Sequence, residues 1–87
     1  MYNIPFYVMD NVVRCECGYD KKRRGDNGES VGLAQIHLPD HQNSNEWITE
    51  EMALDTDFAL SYMEKMISTG HGNMWTCYRS LFPDGYK

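Results

Sequence analysis

Residues 56 to 69 carry the pattern that most restricts the fold. Phe58, Ala59, Tyr62, Met63, Met66 and Ile67 recur at intervals of three and four, the period of a helix with one apolar face. A face this broad must bury against other elements, and Met and aromatic residues on it read as core packing rather than a cofactor box. Asp55 or Thr56 stands where an N-cap belongs, and Gly70 where the helix stops.

The rest of the chain is organised around that helix. Ile4, Tyr7, Val8, Val12 and Cys15 form a second helical stripe over residues 4 to 17, with Gly18 at the left-handed position after it and Glu16 in its last turn. Thr49 is an N-cap for a short turn through Glu50, Glu51, Met52, Ala53 and Leu54. Residues 19 to 30 are charged and rich in Gly, Asn and Asp, so they predict an exposed loop with a tight turn at Asp26-Asn27-Gly28. Val31 to Leu38 is apolar but too short to assign by period, and Pro39 ends it. Trp75, Tyr78 and Leu81 are spaced like one or two further helical turns that close the core.

A chain of 87 residues is enough for one domain, residues 1–87, and at that size a covalent staple or a partner helps. A hydrophobic fraction of 41% with 13% aromatics argues for a packed globule. The net charge of −5 disfavours nucleic acid, since phosphate binding needs clustered Lys and Arg and this chain has eight in all. The run Lys21-Lys22-Arg23-Arg24 reads first as a solvated loop and second as a contact for phosphate or carboxylate. No stretch approaches the roughly 18 apolar residues of a membrane span. Residues 1 to 13 have no basic n-region and no small-residue cleavage site, so no signal peptide is evident. An exported form has therefore either lost its leader or leaves by another route.

Three cysteines and three histidines raise the question of metal. Zinc sites use paired Cys-x2-4-Cys and His-x3-5-His spacings, whereas here there is only Cys15-Glu16-Cys17, and Pro39 lies between His37 and His41. Groove-edge or surface histidines are the better account, and no metal or cofactor is expected. On a helix Cys15 and Cys17 point about 200° apart and cannot bond to each other. Cys15 shares the apolar stripe and Cys77 lies in the closing segment, so a Cys15 to Cys77 disulfide and a pair of buried free thiols both stand open.

Two segments carry chemistry. Arg14-Cys15-Glu16-Cys17-Gly18-Tyr19 places a carboxylate at a helix end, where the helix dipole disfavours it. About a dozen residues later comes Glu29-Ser30-Val31-Gly32-Leu33-Ala34-Gln35-Ile36-His37. In order and spacing the two resemble the catalytic core of the lysozyme-like superfamily, specifically its transglycosylase SLT domains, over roughly residues 12 to 78. The resemblance implies a mostly helical α+β fold with a minimal β or loop region. It implies cleavage of the MurNAc–GlcNAc β-1,4 bond of peptidoglycan by a monomer at the cell envelope or outside the cell, with Glu16 as general acid and base. Gly32 and Leu33 match the pair that brings backbone close to the sugar, and Gln35 matches the glutamine that contacts the glycan. An edge of Trp75 or Tyr78 is expected at the groove.

The chain departs from that family at three places. Cys17 replaces a serine whose hydroxyl helps orient the acid, Ala34 replaces a methionine, and Gly72-Asn73-Met74-Trp75-Thr76-Cys77-Tyr78 stands where an Ala-Tyr-Asn-x-Gly segment is usual. The chemistry itself needs a carboxylic acid in a partly dry site to protonate the glycosidic oxygen as the bond breaks. A lytic transglycosylase needs no second carboxylate, because the sugar's own C6 hydroxyl attacks. A hydrolytic muramidase uses one, and Asp20, Asp26 and Glu29 are available without a spacing that selects among them. From outside the enzymes the alternatives are a glycan-binding lysozyme-like module that no longer cuts and, third, a small zinc-stabilised interaction domain.

Overall fold

The computed structural model describes residues 4–42 and 47–86, with the side chains of residues 41 and 42 outside the description. In chain order the protein runs α1 (Phe6–Cys17), β1 (Arg24–Gly25), β2 (Ser30–Val31), β3 (Ile36–His37), α2 (Leu38–Gln42), α3 (Glu50–Leu54), α4 (Thr56–Ser68) and α5 (Thr76–Leu81). Single 3-10 turns lie at Asp26–Gly28 and Gly72–Met74. The class is α+β, mostly α, with one three-stranded antiparallel sheet in the order β1-β2-β3. Arg24 pairs with Val31, and Val31 with Ile36. Among the described residues no helix is long and apolar enough to cross a membrane.

α4 forms where its period and caps require. Asp55 Oδ2 accepts from the Phe58 amide at 2.9 Å, and the helix ends with His71 N–H on Met66 O and Gly70 N–H on Ile67 O, the paired bonds of a Schellman stop. Gly70 takes φ +90°, a conformation that favours glycine there. Met63, fully buried, lies in one core with Val8 and Val12 of α1, Val31 and Ile36 of the sheet, Ala53 of α3, and Trp75. The predicted face is narrower than its sequence suggests. Ala59, Tyr62, Met63 and Ile67 are buried, while Phe58 and Met66 are only half-buried on its flanks.

Three other expectations are corrected. In α1 the buried side chains are Val8, Val12, Val13 and Cys17, so Tyr7 and Cys15 are exposed rather than part of the stripe. Pro39 does not merely end the apolar segment; it sits in the first turn of α2, where its missing N–H and fixed φ cost nothing. The loop after α1 is partly sheet, since two-residue strands are too short to show a period of two.

Candidate active site

Glu16 leaves the last turn of α1, and α5 begins beside it. The disulfide Cys15–Cys77 joins the residue before Glu16 to the second residue of α5. Glu16 Oε2 then accepts the Cys77 amide at 3.1 Å. α5 has no side-chain cap of its own, so a carboxylate from a distant helix satisfies one of its orphan N–H groups. This also compensates the poor placement of an acid at the C-terminus of α1. Oε1 has no protein hydrogen bond among the described residues.

Glu16 lines a cavity of about 300 Å³ whose other walls include Arg23, Asp26, Ser30, Gln35, His37 and Trp75. The sheet delivers these residues opposite the helix end. The turn between β1 and β2 puts Asp26, Asn27 and Gly28 all at positive φ, which Asp and Asn tolerate better than most residues. Ser30 donates its hydroxyl to Asp26 Oδ2, holding that carboxylate against the cavity. His37 reaches Asp40 with Nδ1 at 3.0 Å and stands 3.8 Å from Glu29 with Nε2. Arg24 turns away to pair with Glu50 at 2.6 Å, so of the basic run Arg23 is the cation facing Glu16.

The structure brings together three of the six site residues expected from sequence: Glu16, Gln35 and Trp75. Gln35 is held by its own loop, with Nε2 donating to Gly32 O at 2.8 Å and to Arg23 O at 2.9 Å. Its Oε1 lies where a Cβ on Gly25 would come within 2.7 Å, so Gly25 leaves room for it. Trp75 is 5% exposed, with its indole N–H on Ala34 O, and offers the cavity a wall rather than a flat platform. Gly32 and Leu33 fall elsewhere. At φ +82° a Cβ on Gly32 would lie 2.2 Å from Ala53 O, so this glycine serves the contact with α3, and Leu33 is core. Tyr78 packs over Gly72 and against Phe82 and lines a different cavity.

Cys17 does not orient the acid. Its thiol lies within reach of Val13 O and Leu33 O in the core, and burial pushes its pKa up. The Cys77 amide holds Glu16 in its place. Cys15 and Cys77 are bonded to each other, and the His41 side chain lies outside the described residues. Sequence reasoning did not place Arg23 or Ser30 at the site and could not choose Asp26 over Asp20 and Glu29. The one signal for Asp26 was its membership of the tight turn. No family model, curated protein or solved structure matches the chain.

Proposed function

We propose that this protein is a peptidoglycan-cleaving glycosidase acting on the MurNAc–GlcNAc β-1,4 bond, with Glu16 as general acid and then base. The observation that supports it is a carboxylate fixed through Oε2 by the Cys77 amide on a residue that lines a cavity together with Asp26. Protonated Glu16 gives its proton to the glycosidic oxygen as the bond to C1 breaks, and positive charge gathers at C1. The carboxylate so formed then withdraws a proton from the group that attacks C1. If that group is the C6 hydroxyl of the same sugar, the product ends in a 1,6-anhydro ring; if it is water, the product is a reducing sugar.

The anhydro outcome, that of a lytic transglycosylase, is the first reading. Asp26 favours the second, a hydrolytic muramidase, because a second carboxylate in the cavity supports the charge at C1 or activates water. Arg23 offsets locally the repulsion between an acidic chain and an anionic polymer. A monomer at the cell envelope or outside the cell suits a small domain with a disulfide.

The test is digestion of purified sacculi with mass spectrometry of the fragments. Glu16→Gln keeps an oxygen to accept the Cys77 N–H and loses the transferable proton, so muropeptide release falls by on the order of 100-fold or more with the fold intact. Glu16→Ala loses both, and lowers stability as well as release. Unchanged release from Glu16→Gln overturns the assignment. Anhydro ends identify the transglycosylase, and fragments heavier by one water identify the muramidase. Wild-type protein that binds sacculi and releases nothing is a glycan-binding module instead.

A further inference from the structure

The candidate acid and the disulfide meet on one residue. Cys77 is bonded through Sγ to Cys15, and its backbone N–H is the donor that fixes Glu16, the next residue after Cys15. The bond brings the Cα atoms of Cys15 and Cys77 to 5.9 Å, which sets the Cys77 amide within reach of the Glu16 side chain. The packing of α5 itself is shallow, since it has no fully buried residue and no side-chain cap. Its other anchors lie at its two ends. Trp75, just before it, is buried with its indole N–H on Ala34 O, and Phe82, just after it, packs on Tyr7 and Tyr78. With the sulfurs apart those anchors keep α5 on the molecule, while its first turn is released from α1.

Thiol chemistry at this bond is open to solvent and confined to one pair. Cys15 is exposed, so an external thiol or disulfide reaches it. Cys17 is out of reach, because its thiol lies in the core against Val13 O and Leu33 O. In the reduced chain the Cys15 thiolate attacks a disulfide RSSR and displaces one RS⁻. The Cys77 thiolate then attacks Cys15 Sγ of the mixed disulfide and displaces the second. Two protein thiols and one RSSR thus become one protein disulfide and two RSH, with the two electrons passing to the RSH pair.

We infer that the Cys15–Cys77 bond is a redox switch on the acid: oxidised, it holds the Cys77 amide on Glu16, and reduced, it leaves the chain folded with Glu16 unheld. That this governs cleavage rests on the glycosidase reading. A carboxylate without its amide samples several rotamers and turns to water, so fewer molecules have it aimed at the glycosidic oxygen. The chain is then idle where thiols keep its cysteines reduced, and becomes competent where it meets a disulfide oxidant. The coupling is reciprocal. If the bond favours the amide on Glu16, Glu16 favours the bond by the same factor.

Two measurements on the full chain test this, one of them independent of catalysis. In glutathione buffers of graded ratio, the equilibrium between the thiols and the Cys15–Cys77 bond is read by alkylation and intact mass. Glu16→Ala removes the acceptor and shifts that equilibrium toward the thiols by about threefold or more, whereas Glu16→Gln keeps an acceptor and stays near the wild type. A loss of stability common to both states does not move this readout. With sacculi, reduced wild type and Cys15→Ser release muropeptides at least about tenfold more slowly per folded molecule than the bonded protein, and reoxidation of the wild type restores the rate. An unchanged glutathione equilibrium in Glu16→Ala overturns the inference, as does equal release from bonded and reduced protein. Reduction that unfolds the chain overturns it too, since release is then lost with the fold. If the wild type cuts nothing in either state, the glycosidase reading fails while the glutathione equilibrium still decides whether acid and bond are coupled.

Discussion

Where α3 hands over to α4, each helix start is closed by a side chain already at hand. Thr49 Oγ1 accepts from the Met52 amide and Asp55 Oδ2 from the Phe58 amide, each three residues on. Where α1 meets α5, neither helix start has a side-chain cap of its own, and α5 has no fully buried residue. That second junction is made by partners about 60 residues apart: the Cys15–Cys77 bond and the Cys77 amide on Glu16. A locally capped junction forms as soon as its helix does, whereas a junction closed at long range exists only once the whole chain is folded. The candidate acid sits at the second kind, so its position depends on tertiary structure rather than on its own helix.

The largest effect expected from breaking this contrast is at the disulfide. Cys15 and Cys77 are 62 residues apart, and removing a bond that closes such a loop costs about 4 kcal/mol of stability on the chain-entropy account. Cys15→Ala with Cys77→Ala should lower the urea midpoint accordingly, and a midpoint within error of wild type would show that packing alone holds α5. Thiol counting checks the bond directly. Cys17 is buried with its pKa raised by that burial, so it resists alkylation until the chain unfolds. Unfolded without reductant, the protein should take up one alkyl group, and after reduction three; three before reduction would rule the bridge out.

The same contrast explains what the sequence reveals. α4, α3 and their caps are readable because period, cap and stop lie within one stretch of chain. α1 is readable in extent but not in facing, although Val13 and Cys17, four apart beside Val8 and Val12, carried the signal that Cys17 turns inward. The sheet and the cavity are not readable, because strands of two residues show no alternation and the turn at Asp26 shares a cavity with Glu16 only once the chain is folded. Gln35 stands between the cases. Its place in an apolar run shows that it needs a partner, but not whether that partner is a sugar or a carbonyl.

Gln35 is therefore where an intermediate effect is expected. Gln35→Ala removes two hydrogen bonds that tie the β2–β3 turn to Arg23 and Gly32, at a cost of about 1–3 kcal/mol. It also widens the Glu16 cavity, so muropeptide release per folded molecule should fall with stability. Loss of release with an unchanged melting temperature would mean that the two bonds contribute little and that Gln35 serves the ligand alone.

The smallest effects belong to the local caps, and they set the scale for the rest. Thr49→Ala and Asp55→Ala each leave one helix amide without its side-chain oxygen, which costs about 1 kcal/mol apiece. Both substitutions lie on the side of the molecule that does not touch Glu16, so muropeptide release at a temperature well below the transition should be unchanged. The two caps serve helices with a one-residue joint between them, Asp55 itself, so the double variant tests whether they act as one unit. A double-variant cost equal to the sum of the single costs means that each helix start is independently closed. A cost well above the sum means that α3 and α4 form together, and the α3–α4 junction is then as dependent on its surroundings as the one at Glu16.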